Sequence, residues 1–233
     1  MVDLMSTYIK NLFSGIHDNY DLMNSILSLG IDRKWRKTAA KLAMPNKKSF
    51  KLLDIACGTG EFAITLYKEA IENQKDASII GIDFNADMLK VGIDKIKMCN
   101  LPIKLINGDA LNITFDSNTF DVVTSAFAMR DFDDLNKFAK EVNRVLKKDG
   151  KITLMDMAAP KVGFDKYLFK IYSKIMRMEG YFVDNDAYRF LVKSIMENDS
   201  SKVANIFKRN GFANVKITTL KTGAAFVITG NKK

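Results

Sequence analysis

The chain predicts an α/β fold: a mostly parallel sheet of seven strands, ended by a C-terminal antiparallel hairpin and covered by helices on both faces. Three observations predict it. Between residues 50 and 157, short apolar runs alternate with amphipathic helical stretches, the pattern of βαβ units. After Gly211, two further strand-like runs are joined through Gly223 with no helix between them. Of 233 residues, 47% are hydrophobic, enough for a packed core and too many for wholesale disorder.

The elements follow in order. Residues 1–48 read as a helical cap: Ile9, Leu12, Phe13 and Ile16, then Leu22, Met23, Ile26 and Leu27, recur at three/four spacing. A third stretch runs from Ile31 to Met44 and stops at Pro45. Residues 49–160 form the core of the fold. Its strands are Lys51–Ala56, Ser78–Asp83, Ile103–Ile106, Phe120–Ser125 and Lys151–Asp156. Its helices begin near Phe62, run over Ala86–Lys97, and place Leu135, Phe138, Ala139, Val142, Val145 and Leu146 on one face. Lys148-Asp149-Gly150 reads as a turn. Residues 161–199 carry eight aromatic residues and no strand run, which predicts a helical insertion covering an apolar acceptor, or a cap packed for stability. Residues 200–233 complete the core with a helix at Ser201–Arg209, ended by Gly211, and strands at Val215–Leu220 and Ala224–Thr229.

The charge balance favours an anionic partner. Thirty-six Lys and Arg against 27 Asp and Glu give a net +9 and a pI near 9.4. Arg33, Lys34, Arg36, Lys37, Lys41, Lys47 and Lys48 crowd one segment with no acid after Asp32. Its default reading is a solvated helix face. Its functional reading is a peripheral foothold on anionic membrane, at about 1 kcal/mol for each cation near the surface. Nucleic acid is disfavoured, because the aromatic residues that could stack on bases lie away from the basic run. Cys57, Cys99 and the single histidine, His17, provide neither a metal-ligand cluster nor a disulfide framework. No apolar run reaches the ~18 residues of a membrane span, and the amino terminus has no signal pattern. A soluble cytoplasmic protein is expected, at most peripheral to the inner membrane face. The oligomeric state is left open, a dimer included.

Four residues share one geometry. Asp54 ends the first strand, Gly58 and Gly60 shape the turn after it, and Asp83 closes the second strand. Glycines there let the backbone approach a ligand closely, and an acid at the second strand's end can accept hydrogen bonds from ribose hydroxyls. A nucleoside-type cofactor follows. Gly58-x-Gly60-x-x-Ala63 also fits a dinucleotide fingerprint, so an NAD-dependent oxidoreductase stays as a rival. Two features favour S-adenosylmethionine. Asp109-Ala110 could receive an adenine through its carboxylate and backbone N–H. Asp54 suits a ligand carrying an ammonium and a sulfonium better than one carrying a pyrophosphate. The competing reading of Asp54 is an acid that only anchors the loop.

Leu53-Asp-Ile-Ala-Cys-Gly-Thr-Gly60, Gly81-Ile-Asp83, Asp109-Ala110 and Arg144-Val-Leu-Lys-Lys-Asp-Gly150 resemble the successive motifs of class I S-adenosylmethionine-dependent methyltransferases. More narrowly, Tyr20-Asp-Leu-Met-Asn24, Gly30-Ile-Asp-Arg-Lys-Trp-Arg36, Ala126-Phe-Ala-Met-Arg-Asp131, Tyr188-Arg-Phe-Leu191 and Gly211-Phe212 resemble the ubiquinone/menaquinone-biosynthesis C-methyltransferase family. The resemblance implies a Rossmann-like fold, S-adenosylmethionine as cofactor, and a demethylated quinol as the aromatic small-molecule substrate. It places cofactor contacts on Thr59, Asp83, Asp109, Ala110 and Ala126. The chain departs from the family at three motifs: Phe127-Ala-Met-Arg-Asp131 replaces Phe-Gly-x-Arg-Asn, Asp156-Met-Ala-Ala-Pro160 replaces Glu-Phe-Ser-Lys-Pro, and Phe226-Val-Ile228 stands near the place of a carboxy-terminal Ala-x-His without the histidine. Methylation of another small molecule or of tRNA, and a cofactor-binding module without catalysis, remain alternatives.

Methylating an aromatic carbon requires the ring to be aligned and its hydroxyl helped to ionise. Arg130, just past the fourth strand, is the candidate that stabilises a phenolate, since a guanidinium is always charged. Its bland alternative is a salt bridge to Asp131 or Asp133. Tyr20 and Asn24 could close over the cofactor from the cap, or Tyr20 could simply pack. His17 reads as a solvated helix residue, and Cys57 has no base to make it a nucleophile.

Overall fold

The computed structural model describes residues 30–160, 193–220 and 224–233. The first two helices of the cap, with Tyr20, Asn24 and His17, and most of the 161–199 insertion lie outside the described residues.

Seven strands form one sheet: β1 (Ser49–Ile55), β2 (Asp76–Asp83), β3 (Ile103–Asn107), β4 (Phe120–Ala126), β5 (Leu146–Met157), β6 (Phe212–Thr219) and β7 (Ala225–Lys232). Their order is β3-β2-β1-β4-β5-β7-β6. Pairings from β3 across to β5 are parallel, while β7 runs antiparallel to both β5 and β6. The helices are α1 (Ile31–Ala43), α2 (Glu61–Glu72), α3 (Ala86–Met98), α4 (Leu135–Val145) and α5 (Ser200–Arg209). A further helical turn covers 193–197. Among the described residues no helix is long and apolar enough to cross a membrane.

Burial on both faces explains the near-continuous apolar strands. Along β1, side chains alternate between two cores. Phe50 and Leu52 point into the first, beneath α1, α2 and α3, with Trp35, Ala39, Phe62 and Leu66. Leu53 and Ile55 point into the second, where Phe138 of α4 and Phe207 of α5 meet edge to face. Alternation therefore puts Asp54 on the α1 side of the sheet. The outer strand β6 is half-exposed and carries Lys216, an arrangement that discourages edge-to-edge pairing.

Two boundaries differ from the sequence expectation. Leu146 is not the last residue of the helical face: its backbone is extended, and it pairs with Phe120 as the first residue of β5. Lys148-Asp149-Gly150 is not a free turn either. It is absorbed into β5 at an irregularity opposite Phe120 and Val122, with Asp149 in the left-handed region at φ 60°. A helical period and a bulged strand look alike over so few residues.

The segment between α1 and β1 is pinned by charge. Asp121 of β4 accepts hydrogen bonds from Lys47 Nζ (2.7 Å), the Lys51 backbone N–H (3.0 Å) and Lys147 Nζ (3.0 Å). Burial pushes this carboxyl up, but the two ammonium groups and the N–H outweigh it and hold it at about 2. Because the folded value lies below the unfolded one, the stabilisation is present at neutral pH and is lost as pH falls from about 4 to about 2. Asp121→Asn is expected to lower stability by about 1–2 kcal/mol at pH 7, discounted for the exposed lysine ends. Urea unfolding of both proteins checks this: the gap should close in acid, and a gap independent of pH would contradict it.

Candidate active site

The site lies at the carboxyl ends of β1, β2 and β4, where the sheet order reverses and open α/β sheets hold their ligands. β1 ends at Ile55, and Ala56 (φ 53°), Gly58 (φ 52°) and Gly60 (φ 78°) turn the chain through the left-handed region into α2. The loop is braced from both sides. Gly60 N–H donates to Cys57 O (2.8 Å), and Cys57 N–H donates to Ile82 O (3.0 Å). Gly58 N–H donates to the Asp83 carboxylate (2.7 Å).

Asp83 therefore organises the loop. Its other oxygen accepts the Asn85 N–H (2.9 Å), and Asn85 in turn caps α3. Burial raises the Asp83 carboxyl above its usual range, while the N–H groups of Asn85, Gly58 and Phe84 act to lower it.

Asp54 is more buried still, at 1% exposure. Thr124 Oγ1 donates to its Oδ1 (2.7 Å), and its Oδ2 has no hydrogen-bond partner. Burial pushes the carboxyl up to about 7; the Thr124 bond and Arg36 pull it down, and Asp83 adds to the rise. Asp54, Gly58, Thr59 and Ala126 line one cleft together with Arg36 and Phe127. Gly60 sits behind it, capping α2.

The two residues assigned to adenine lie elsewhere. Asp109 is exposed beyond β3, where its carboxylate accepts the Leu111 N–H (2.8 Å). Ala110 packs against the second core. Neither lines the cleft, although Gly108 N–H donates to Asp83 O (3.0 Å) and Asn107 ties the ends of β2 and β3 together. Phe84, the residue after Asp83, is 40% exposed and offers an aromatic face on which a base could stack.

Arg130 ion-pairs with Asp156, a fully buried acid on the side of β5 shared with Ile152 and Leu154. The salt-bridge alternative holds in part: Arg130 also pairs with Asp131, one of the two acids it named, while its shorter contact is to Asp156. Asp131 is the more distant neighbour, with Oδ1 4.0 Å from Arg130 Nε. Burial pushes Asp131 up to about 6, against the pull of Arg130 and with a push from Asp156. Cys57 is buried among acids, which raise its thiol further above the usual range and make it no nucleophile. Among the described residues no group of His, Cys, Asp or Glu could hold a metal ion.

Sequence reading missed three residues. Arg36 was grouped with the solvated basic face, yet it is buried. The signal was present: 36, 39, 40 and 43 fall on one helical face, and the last three are apolar. Phe127 stands in a quoted motif, but nothing in the sequence gives its ring a role, and Phe84 is visible only as the neighbour of Asp83.

A buried carboxylate with one oxygen unpartnered, in a cleft beside a glycine turn and a second buried acid, fits a cationic adenosyl cofactor. A pyrophosphate beside the glycine turn would be repelled by Asp54. The sheet, with its antiparallel final strand, and this donor set define a class I methyltransferase using S-adenosylmethionine. Solved structures share the fold: an S-adenosyl-L-methionine-dependent methyltransferase from Methanococcus maripaludis (TM-score 0.68, 23% identity, 94% of this chain and 93% of that one) and one from Thermotoga maritima (TM-score 0.67, 17% identity, 96% and 99%).

The chain belongs to the ubiE/COQ5 methyltransferase family, whose model matches residues 1–232. It is 34% identical to a demethylmenaquinone methyltransferase of Lactobacillus johnsonii over 97% of this chain and 93% of the relative. It is 35% identical to one from Staphylococcus saprophyticus over 96% of each chain. A ubiquinone/menaquinone biosynthesis C-methyltransferase of Citrifermentans bemidjiense is 36% identical over 96% of each chain.

A cation bound beside Asp54 favours its ionised form, so cofactor affinity should rise as pH climbs through about 7 and flatten above it. Calorimetry between about pH 5.5 and 8.5 checks this. Asp54→Asn should bind more weakly and lose the rise; a variant with the same pH profile would remove Asp54 from the contact. For Asp83→Ala, affinity should fall by about 1–3 kcal/mol through lost ribose and loop bonds.

Proposed function

We propose that this protein methylates a ring carbon of a demethylated quinol of the menaquinone or ubiquinone type. The observation that carries the reading is the extent of likeness: relatives named for demethylmenaquinone are matched over 96–97% of this chain. When bound, S-adenosylmethionine supplies an electrophilic methyl group on its sulfonium.

The chain's own residues do the rest. Asp54 and Asp83 hold the cofactor at two points, its cationic amino-acid end and its central ribose. Arg130, held by Asp156, sets a permanent positive charge close to where β4 ends, and that charge favours the ionised form of a ring hydroxyl. Ionisation loads electron density onto the neighbouring ring carbon, which would form its new bond to the methyl carbon as the methyl–sulfur bond breaks and the neutral thioether leaves, and would then release its ring proton to solvent. Asp131, with a carboxyl at about 6, is charged at neutral pH and is the nearest acid to that guanidinium after Asp156. Tyr20 and Asn24 complete the proposed site from the cap. A lipid-tailed quinol is met at a membrane, and exposed Arg33, Lys34 and Lys41 on α1 support peripheral contact with anionic lipid there.

Incubation with demethylmenaquinol and S-adenosylmethionine, followed by mass spectrometry, tests the reading: the quinone should gain one methyl in place of one hydrogen. No product from quinol, with transfer to another acceptor, would overturn it. Arg130→Lys is the softer probe, because truncation leaves Asp156 buried and unpaired. It should slow turnover by about 100-fold with cofactor affinity nearly unchanged. Unchanged turnover takes Arg130 out of the mechanism.

A further inference from the structure

Arg36 is the one basic residue of α1 that turns inward. Arg33, Lys34, Lys37 and Lys41 are exposed, whereas Arg36 is 8% exposed and lines the cleft that holds Asp54. Two contacts fix its guanidinium there. One is the ion pair with Asp32 a turn earlier on α1. The other is the ring of Phe127, whose centroid lies 5.0 Å from the guanidinium carbon. Phe127 reaches this place from a left-handed backbone, φ 63°, rare for a bulky residue and held by its N–H bond to Met155 O (2.8 Å).

A buried cation and a buried acid thus line one cleft without being paired to each other, since Asp54 Oδ2 bonds to nothing. Opposite charges held apart in this way match a zwitterion. The cofactor ends in one: an α-amino acid with its ammonium and carboxylate on the same carbon. Asp54 suits the ammonium. A planar guanidinium suits a carboxylate, which it can grip with two parallel bonds. Asp32 already shares the guanidinium, but five N–H donors leave room for a second acceptor.

We infer that Arg36 binds the α-carboxylate of the cofactor's methionine moiety, so that the cofactor bridges α1 to the glycine loop. The inference rests on S-adenosylmethionine being the cofactor.

Calorimetry on the full chain with two ligands tests it: S-adenosylhomocysteine, and methylthioadenosine, which lacks the amino-acid end. In Arg36→Ala, affinity for S-adenosylhomocysteine should fall by about 10- to 100-fold, with methylthioadenosine unaffected. Arg36→Lys keeps the charge and protects the fold should the alanine variant unfold; it should lose less, again only with the amino-acid ligand. Decarboxylated S-adenosylhomocysteine should bind the unmodified protein weakly and Arg36→Lys no more weakly than that. Equal losses for both ligands would mean that Arg36 only shapes the cleft, and no loss for either would exclude the contact. If the unmodified protein binds neither ligand, the cofactor assignment itself falls.

Discussion

The hydrogen bond from Thr124 to Asp54 joins the two central strands at the place where the sheet order reverses. It satisfies one oxygen of a carboxylate that the sheet has taken out of water and leaves the other without a hydrogen-bond partner among the described residues. Burying a charge costs several kcal/mol unless something compensates it, and a single hydroxyl does not. The raised carboxyl of Asp54 is the visible sign of that deficit. A cation entering the cleft removes it. The rest of the site is arranged so that such a cation arrives with an adenosyl group attached.

Asp83 extends the same logic to the neighbouring strand. Each of its oxygens holds a backbone N–H, one on the glycine turn and one at the start of α3, so the loop and the helix move as one unit with β2. Carboxylate oxygens carry spare lone pairs, and ribose hydroxyls can share them without dismantling the brace. Rigidity and recognition thus come from the same atoms, as a site built on strand ends allows.

Much of this was legible in the sequence because it follows from period and punctuation. Strand ends at Asp54 and Asp83, the turn at Gly58 and Gly60, and the final antiparallel pair all stand where alternating runs and glycines put them. What escaped detection depended on tertiary partners. Arg36 lies among six other basic residues, and only its register with Ala39, Ala40 and Ala43 separates it from them. Arg130 pairs with its sequence neighbour Asp131, as the local spacing suggests, but its shorter contact is to Asp156 of the adjacent strand, 26 residues on. Asp109 and Ala110, like Asp83, lie outside the lining of the cleft that holds Asp54, a placement that depends on how the loop after β3 folds and not on the motif itself.

Helix α1 shows why a cap and a core cannot be read as separate modules here. Its apolar face, Trp35 with Ala39, Ala40 and Ala43, packs into the first core, and its basic face is exposed. Arg36 lies on the border between the two. A cation at that border would ordinarily extend its head toward water along its aliphatic stem. Instead it is drawn inward by Asp32, by the Phe127 ring and by the field of Asp54. The pair with Asp32 stays within the helix, whereas the Phe127 ring and Asp54 belong to the sheet side of the cleft, so this one guanidinium ties α1 to the ends of β1 and β4.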